Sequence, residues 1–147
     1  KFIAPLDMED IKKTLENFKG EIEQIPPMVS AIKYKGKKLY ELARAGKTVA
    51  REPRKIKISE IEILDFKFPE LTFRVKCSKG TYVRTLCEDI GRSLGAPSHM
   101  SGLVRSASGD FLLKDAKRLD EIRKEDIQFI YSSSEAAKRP SREACPE

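Results

Sequence analysis

The sequence is poor in metal-binding and thiol residues. It has no tryptophan, one histidine and three cysteines, Cys77, Cys87 and Cys145, none of them in a Cys-x-x-Cys pair. This set is too small for a His/Cys zinc site, so we expect no metal. Cys77 and Cys87 fall on apolar faces, which predicts buried free thiols. Free thiols are typical of a reducing compartment, and they favour a cytoplasmic protein.

Long apolar runs are also missing. No segment approaches the roughly 20 residues of a membrane-spanning helix, and no signal-peptide pattern is present. We therefore expect no membrane partner. The 147 residues, 39% of them hydrophobic, suffice for the core of one domain or of part of a larger one. The first residue is Lys1 rather than methionine, which suggests a processed chain or an excerpt.

Positive charge is concentrated in one segment. The formal net charge is +6, yet the segment from Lys33 to Lys57 alone carries ten Lys and Arg against Glu41 and Glu52, a local balance of +8. The remaining residues therefore sum to −2. A concentrated basic patch is what binding to a phosphate backbone requires.

Hydrophobic periodicity predicts an α+β fold. Two alternating runs that meet at Phe68-Pro69-Glu70 indicate an antiparallel strand pair, and a change of phase at Ser59-Glu60 indicates a bulge in the first strand. The tail from 132 to 147 has the composition of a linker or a disordered end. The other predicted elements are helices over Asp7–Phe18, around Leu39–Ala43, over Val83–Leu94 and over Leu119–Ile127, with short strands at Leu103–Val104 and Phe111–Leu113.

A turn joins the second of these strands to the helix that follows. The stretch runs Cys77-Ser78-Lys79-Gly80-Thr81-Tyr82-Val83-Arg84-Thr85, and Tyr82 and Arg84 lie off the apolar stripe of the helix. A solvated Arg and a Tyr at the rim of the core would explain both residues. Binding and catalytic groups, however, often lie on such connections between rigid elements.

Two further stretches are distinctive. The first runs Gln24-Ile25-Pro26-Pro27-Met28-Val29-Ser30-Ala31-Ile32-Lys33 and leads into the basic segment, in which Tyr34 and Tyr40 are interleaved. Its prolines predict an extended entry, and a solvated charged loop is the plain alternative. The second covers residues 95–106, with His99, Leu103 and Arg105. A lone histidine beside apolar residues is more often structural than catalytic.

The three stretches together resemble the bacterial tRNA pseudouridine-55 synthases, the TruB family, in order and in spacing. The resemblance runs from about Gly20 to about Leu119. Mild departures are Ser98 where alanine is usual, Val104 where arginine is common and Ser106 where threonine is common. The implied architecture is a partial pseudouridine synthase fold, a mixed, mostly antiparallel sheet flanked by helices.

The resemblance also implies roles for individual residues. Arg84 would pair with the catalytic aspartate, Tyr82 would frame the flipped uridine, and Lys79 belongs to the same pocket motif. Leu103 would pack at the uracil, with Arg105 as the following basic position. Residues 27–55 would form a thumb that closes on the T-stem-loop of tRNA. Its candidates for phosphate contact are Lys33, Lys35, Lys37, Lys38, Arg44 and Arg51.

The family's catalytic aspartate has no counterpart in the sequence. No Leu-Asp-Pro occurs in the 147 residues, and neither Asp7 nor Asp89 stands in a matching context. The family's other pocket tyrosine and its C-terminal PUA domain are not matched either. We therefore expect residues 1–131 to be the C-terminal part of a catalytic domain, whose partners are tRNA and the remainder of the synthase. The isolated chain should be inactive, and the reaction needs no cofactor.

Two alternatives remain open. A non-catalytic RNA-binding module would also use the basic segment and would not need the aspartate. A guide-RNA-dependent synthase of the archaeal and eukaryotic type would share the pocket motif. The long insertion between Pro27 and Arg54 favours the bacterial stand-alone type over the guide-dependent one.

Overall fold

The computed structural model of the protein describes residues 6–122, which fall into two compact units divided after Gly102. No helix within residues 6–122 is long and apolar enough to cross a membrane. The elements of the first unit are, in chain order, α1 (Met8–Glu16), β1 (Gly20–Gln24), β2 (Lys33–Tyr34), β3 (Lys37–Lys38), α2 (Leu39–Arg44), β4 (Arg54–Lys67), β5 (Glu70–Cys77) and α3 (Val83–Ser93).

A three-stranded antiparallel sheet with the order β1-β4-β5 organises the first unit. The register of β4 against β5 shifts between Ile58 and Glu60, where the change of phase predicts a bulge. The shift turns Ile61 back to the buried side that Ile56 and Ile58 already occupy. The predicted bulge is therefore confirmed. A second shift, between Ile63 and Asp65, was not predicted.

The core lies between one face of this sheet and the helices α1 and α3. Both helices follow the predicted spacing, with Asp7 and Tyr82 at their N-cap positions. Each fully buried aliphatic side chain contributes roughly 1.5–3 kcal/mol through the removal of its apolar surface from water. The buried cluster consists of Ile11, Leu15, Ile58, Ile61, Leu86 and Ile90.

The opposite face of the sheet is solvated and charged. Cross-strand ion pairs join Glu62 to Arg74 at 3.4 Å and Glu60 to Lys76 at 3.2 Å. All four side chains are exposed, so each pair adds less than about 1 kcal/mol. One buried and one solvated face are typical of an antiparallel sheet with helices on one side. The predicted α+β class is thus confirmed, and every strand pairing within residues 6–122 is antiparallel.

The chain folds back on α3 immediately after the helix ends. The Ser98 hydroxyl donates a hydrogen bond to the Cys87 carbonyl at 2.6 Å. Ser98, which stands where the family usually has alanine, thus adds a hydrogen bond between this segment and α3. A Cβ atom added at Gly91 would lie 2.6 Å from the Ala96 carbonyl oxygen. Glycine is therefore required at position 91 for this close approach.

The second unit contains a small hairpin of β6 (Ala107–Ser108) and β7 (Phe111–Leu112), followed by two 3₁₀ turns. The predicted strand at Leu103–Val104 is wrong. In the hairpin, Ala107 pairs with Leu112 and Ser108 pairs with Phe111. Leu103 and Val104 precede these pairs, have no strand partner within residues 6–122 and are exposed. The predicted helix over Leu119–Ile127 begins as a 3₁₀ turn at Leu119–Glu121. Its remainder and the predicted tail lie outside the described residues.

Candidate functional site

Hydrogen bonds fix the turn between β5 and α3 to the sheet. The Ser78 amide donates to the Lys57 carbonyl at 2.8 Å, and the Lys57 amide donates to the Ser78 hydroxyl at 2.9 Å. Within the turn, the Thr81 hydroxyl donates to the Ser78 carbonyl at 2.9 Å. Gly80 has a φ of +86°, a value that glycine adopts without strain. The turn is therefore held to β4 rather than free in solvent.

A buried glutamine holds the end of this turn. The Tyr82 amide donates to Gln24 Oε1 at 2.8 Å, and Gln24 Nε2 donates to the Tyr82 carbonyl at 3.1 Å. Gln24 is only 2% exposed. A side-chain amide offers one acceptor and two donors, so it can satisfy both peptide groups of a single residue. Sequence reasoning missed this role of Gln24, because its partner lies 58 residues away along the chain.

The anchored turn presents Lys79, Tyr82 and Arg84 in one short stretch. Tyr82 is half-buried at the N-cap of α3, while Lys79 and Arg84 are exposed. Thr85 and Leu86 face the core, which directs Arg84 to the opposite side of the helix. The Arg84 side chain has no hydrogen bond or ion pair to any of residues 6–122. Its planar fork of donors is suited to hold a carboxylate through two hydrogen bonds.

Asp7 and Asp89, the two acids considered as nucleophiles, do not contact the turn. Asp89 accepts an ion-paired hydrogen bond from Arg92 at 2.7 Å, one turn along α3. Asp7 is at the N-cap position of α1, where its carbonyl accepts from the Ile11 amide at 3.1 Å. Neither arrangement supplies a nucleophile to the turn.

The predicted thumb, residues 27–55, lies almost entirely within the connection between β1 and β4. Its last two residues begin β4, and Gln24 pairs with Arg54 across the sheet, so the connection starts and ends at neighbouring positions. Arg51 donates from Nη1 to the Pro26 carbonyl at 3.2 Å and is partly buried. The structure thus gives Arg51 a contact at the base of the thumb, and its contact with phosphate stays a prediction.

A tight hairpin forms the tip of the thumb. Strands β2 and β3 are joined by Lys35 and Gly36, whose φ angles of +46° and +83° are those of a type I′ turn. A lysine in the left-handed region is uncommon. The hairpin exposes a cluster of four lysines, Lys33, Lys35, Lys37 and Lys38.

Two tyrosines are interleaved with these cations. Lys38 Nζ lies 5.5 Å and the Arg44 guanidinium 5.4 Å from the centre of the Tyr40 ring. Lys35 Nζ lies 5.6 Å from the Tyr34 ring centre. Contacts of this kind orient the long cationic side chains without neutralising their charge. Lys33 pairs with Lys38 across the hairpin and Tyr34 pairs with Lys37, so the exposed cations lie on both of its faces.

The thumb cations differ electrostatically from those of the sheet. None of Lys33, Lys35, Lys37, Lys38 and Arg44 has an ion pair with any of residues 6–122. On β4 and β5, by contrast, three cations pair with acids across or along the strands, namely Lys67, Arg74 and Lys76. The thumb therefore keeps the positive potential that a polyanion requires.

Cys77 and Cys87 are free and partly buried. Desolvation by burial is the main cause that raises the pKa of Cys87, with a smaller contribution from the charge of Glu88. A raised pKa keeps the thiol protonated at neutral pH, so Cys87 is not an activated nucleophile. Cys145 lies outside the described residues.

Leu103 and Arg105, the remaining predicted site residues, belong to the second unit. Both are exposed, Leu103 at 57%. Their roles at the uracil pocket remain predictions. His99, in the first unit, is also exposed.

Comparison with known families gives two adjoining matches. Residues 1–83 match the TruB family pseudouridylate synthase (N terminal domain), and residues 84–138 match the tRNA pseudouridylate synthase B C-terminal domain. The boundary between them falls inside the turn motif, just before Arg84. The second match continues to residue 138, into the segment whose composition predicts a tail.

Curated proteins give a consistent result. The chain is 49% identical over 127 residues to tRNA pseudouridine synthase B of Francisella tularensis subsp. tularensis (strain WY96-3418), which covers 86% of this chain and 41% of that protein. It is 53% identical over 125 residues to tRNA pseudouridine synthase B of Staphylococcus aureus (strain JH9), covering 82% and 41%. The chain thus spans about two fifths of the length of these relatives.

Solved structures share the fold. A chain in the "Crystal Structure of a Cbf5-Nop10-Gar1 Complex" is 33% identical with a TM-score of 0.60, and the match covers 76% of this chain and 29% of that one. A chain in the "Structure of H/ACA RNP bound to a substrate RNA containing 2'-deoxyuridine" is 28% identical with a TM-score of 0.54, covering 76% and 27%. These matches confirm the predicted partial synthase fold. Since the N-terminal family domain alone takes in residues 1–83 of 147, the chain belongs to the TruB family of pseudouridylate synthases.

Proposed function

We propose that this chain is part of a tRNA pseudouridine synthase that isomerises the T-loop uridine at position 55 of tRNA, and that it supplies one wall of the uridine pocket and the RNA-binding thumb. The observation that carries the proposal is the anchored turn, which presents Tyr82 and an Arg84 without a carboxylate partner among residues 6–122. The names of the relatives, tRNA pseudouridine synthase B, support the same substrate.

Arg84 would act on a carboxylate that an upstream segment supplies. Two charge-assisted hydrogen bonds from a guanidinium keep a carboxylate ionised and fix its direction. An aspartate held in this way can attack the flipped nucleotide. A bond from its carboxylate oxygen to C1′ would form as the N1–C1′ bond breaks. The uracil would rotate, and a C5–C1′ bond would then form as the carboxylate leaves C1′. In the product, N1 carries a proton and C5 has lost one.

Tyr82 would frame the extruded base. Enzymes that act on a base remove it from the stack and hold it against aromatic or apolar side chains. Tyr82 is half-buried at the N-cap of α3, and hydrogen bonds with Gln24 fix the backbone that carries its ring. Lys79, in the same turn, would complete this part of the pocket.

The thumb would hold the T-stem-loop by its phosphates. Its exposed lysines have no ion pairs within residues 6–122, and such cations release counterions when they meet a phosphate backbone. RNA and the remainder of the synthase, including a PUA domain, are the proposed partners. The proposed location is the cytoplasm, and the proposed reaction uses neither a metal nor an organic cofactor.

A non-catalytic RNA-binding module is the second candidate. The observation that favours it is that no Leu-Asp-Pro segment occurs in the 147 residues. Such a module would bind a T-stem-loop with the same thumb, and Arg84 would hold no catalytic carboxylate in it.

One pair of assays tests the proposal. We expect the purified 147-residue chain to bind a T-stem-loop RNA and to form no pseudouridine, because the nucleophile is not among its residues. The full-length synthase that contains this sequence should convert the same RNA. Turnover by the isolated chain would contradict the assigned division of roles. A full-length protein that binds the RNA but never converts it would favour the binding module.

A further inference from the structure

We propose that Gln24 is a positioning residue for the reaction, which fixes Tyr82 and Arg84 in the uridine pocket through the peptide groups of Tyr82. This inference rests on the proposed function. Gln24 does not touch the substrate in this scheme. It acts through the backbone of the turn that carries both pocket residues.

The contact has the form of a clamp. Gln24 accepts from the amide and donates to the carbonyl of the same residue, at 2.8 Å and 3.1 Å. The Tyr82 carbonyl also accepts the first hydrogen bond of α3, from the Leu86 amide at 3.0 Å. One side chain therefore fixes the peptide groups at which the helix begins, two residues before Arg84.

Burial makes this clamp sensitive to substitution. Gln24 is 2% exposed, so water cannot easily replace its amide at the two peptide groups of Tyr82. The other bonds in the turn start at Ser78 and Thr81 and do not reach the peptide groups of Tyr82. Without Gln24, α3 would keep its buried stripe and the bond from the Leu86 amide, but Tyr82 at its N-cap would lose both side-chain hydrogen bonds.

The same glutamine lies at the base of the thumb. It is the last residue of β1, it pairs with Arg54 at the start of β4, and Pro26 and Pro27 follow it directly. Arg51, near the end of the thumb, donates to the Pro26 carbonyl at 3.2 Å. Both ends of the thumb thus converge on the residue that holds Tyr82.

Two variants of the full-length synthase test the proposal. Gln24→Met keeps the length of the side chain and removes both hydrogen bonds. Gln24→Glu keeps an acceptor for the Tyr82 amide but places a carboxylate against the Tyr82 carbonyl. Glu21→Met is the matched control, because Glu21 is an exposed residue of the same strand. Each variant is measured for kcat and KM on a T-stem-loop RNA and for hydrogen exchange at the Tyr82 and Ile58 amides.

For Gln24→Met we expect kcat to fall by about tenfold to a hundredfold with KM within about threefold, because a pocket group displaced by about 1 Å costs rate rather than affinity. The kcat of Gln24→Glu should lie between those of wild type and Gln24→Met, and the kcat of Glu21→Met should equal that of wild type. Exchange should accelerate at Tyr82 and stay slow at Ile58, which reports an intact core. If Gln24→Met does not fold, a kcat of Gln24→Glu below that of wild type, with exchange at Ile58 still slow, supports the proposal in its place.

Other outcomes separate this inference from the proposed function. A wild-type protein that converts the RNA, with Gln24→Met at unchanged kcat, overturns the role of Gln24 and leaves the function standing. A rise in KM alone also overturns it, since the glutamine would then serve RNA binding only. A folded wild-type protein with no turnover overturns the proposed function and this inference with it.

Discussion

The turn between β5 and α3 and the thumb are built on opposite principles, although Gln24 bonds the end of the first and lies just before the second. The turn is tied to the sheet by short hydrogen bonds and continues into a helix whose stripe lies in the core. The thumb has one deeply buried aliphatic residue, Leu39, and its lysines extend into solvent without ion pairs to residues 6–122. One region is held by hydrogen bonds to the sheet, and the other presents exposed positive charge.

Under the proposed function, this difference would assign the two regions to different steps. A pocket that directs a carboxylate at a sugar carbon depends on position, and position requires a rigid backbone. Contact with a phosphate backbone depends mainly on the number of cations and tolerates movement. Substitutions in the turn should therefore change the rate at saturating RNA, and substitutions in the thumb should change affinity.

The largest effect is expected from Arg84→Ala in the full-length synthase. In the proposed pair, the substitution removes two hydrogen bonds to a charged group, each with a contribution of about 1.5–3 kcal/mol. The rate at saturating RNA should fall at least about a hundredfold, with little change in the dissociation constant. Single-turnover kinetics and a filter-binding titration measure the two quantities.

Arg84→Lys and Arg92→Ala serve as controls for this prediction. Lysine keeps the charge without the planar fork, so its rate should lie between those of wild type and Arg84→Ala. Arg92 is an exposed arginine of the same helix, paired with Asp89. Its loss should leave turnover unchanged. An unchanged rate for Arg84→Ala would remove Arg84 from the pocket.

Two leucine substitutions compare the stability of the regions. Leu86 is 0% exposed within the main cluster, and Leu39 is 2% exposed but lies outside it. Leu86→Ala should lower the free energy of unfolding of the whole chain by about 2–5 kcal/mol. Leu39→Ala should chiefly accelerate exchange within the thumb and change the global transition less. Equal losses in urea denaturation would show that the two regions unfold as one.

A triple substitution, Lys35, Lys37 and Lys38 to Gln, tests the thumb. Affinity for the RNA should weaken, and the slope of log K against log salt should fall by roughly two to three, while the rate at saturation is kept. The control replaces Lys12, Lys13 and Lys67, exposed lysines outside the thumb, with the same loss of net charge. Equal slopes for both triple variants would make binding a matter of overall charge rather than of the thumb.

The smallest effect concerns Cys87. Burial raises the pKa of its thiol, so the folded state binds this proton more tightly than the unfolded state. Its contribution to stability is complete below the ordinary thiol pKa and is lost as pH rises through the raised value. Cys87→Ser should remove this alkaline loss, visible in urea titrations at neutral and alkaline pH. Identical pH dependence in both proteins would contradict a desolvated thiol.

The parts of the fold that follow local periodicity were predictable from the sequence. The bulge at Ser59-Glu60 follows from a change of phase within one strand, and α3 follows from a stripe that ends before Gly95. The type I′ hairpin was not predicted, because lysine at position 35 is not a residue that signals a positive φ.

Contacts between distant residues were the harder part of the site. Arg84 and Tyr82 stood out because no apolar stripe included them. Gln24 did not stand out, since a polar residue at the end of a strand is ordinary until its partner is known. The folded sheet brings the end of β1 next to the start of α3, and Gln24 thereby meets Tyr82.

The most direct test compares the Arg84→Ala and triple-lysine variants of the full-length synthase on one T-stem-loop RNA. For each variant, the dissociation constant and the single-turnover rate at saturating RNA are measured at the same salt concentration. The division of roles predicts a crossed result, in which Arg84→Ala loses rate and keeps affinity while the lysine variant loses affinity and keeps rate. Parallel losses of rate and affinity in both variants would contradict it.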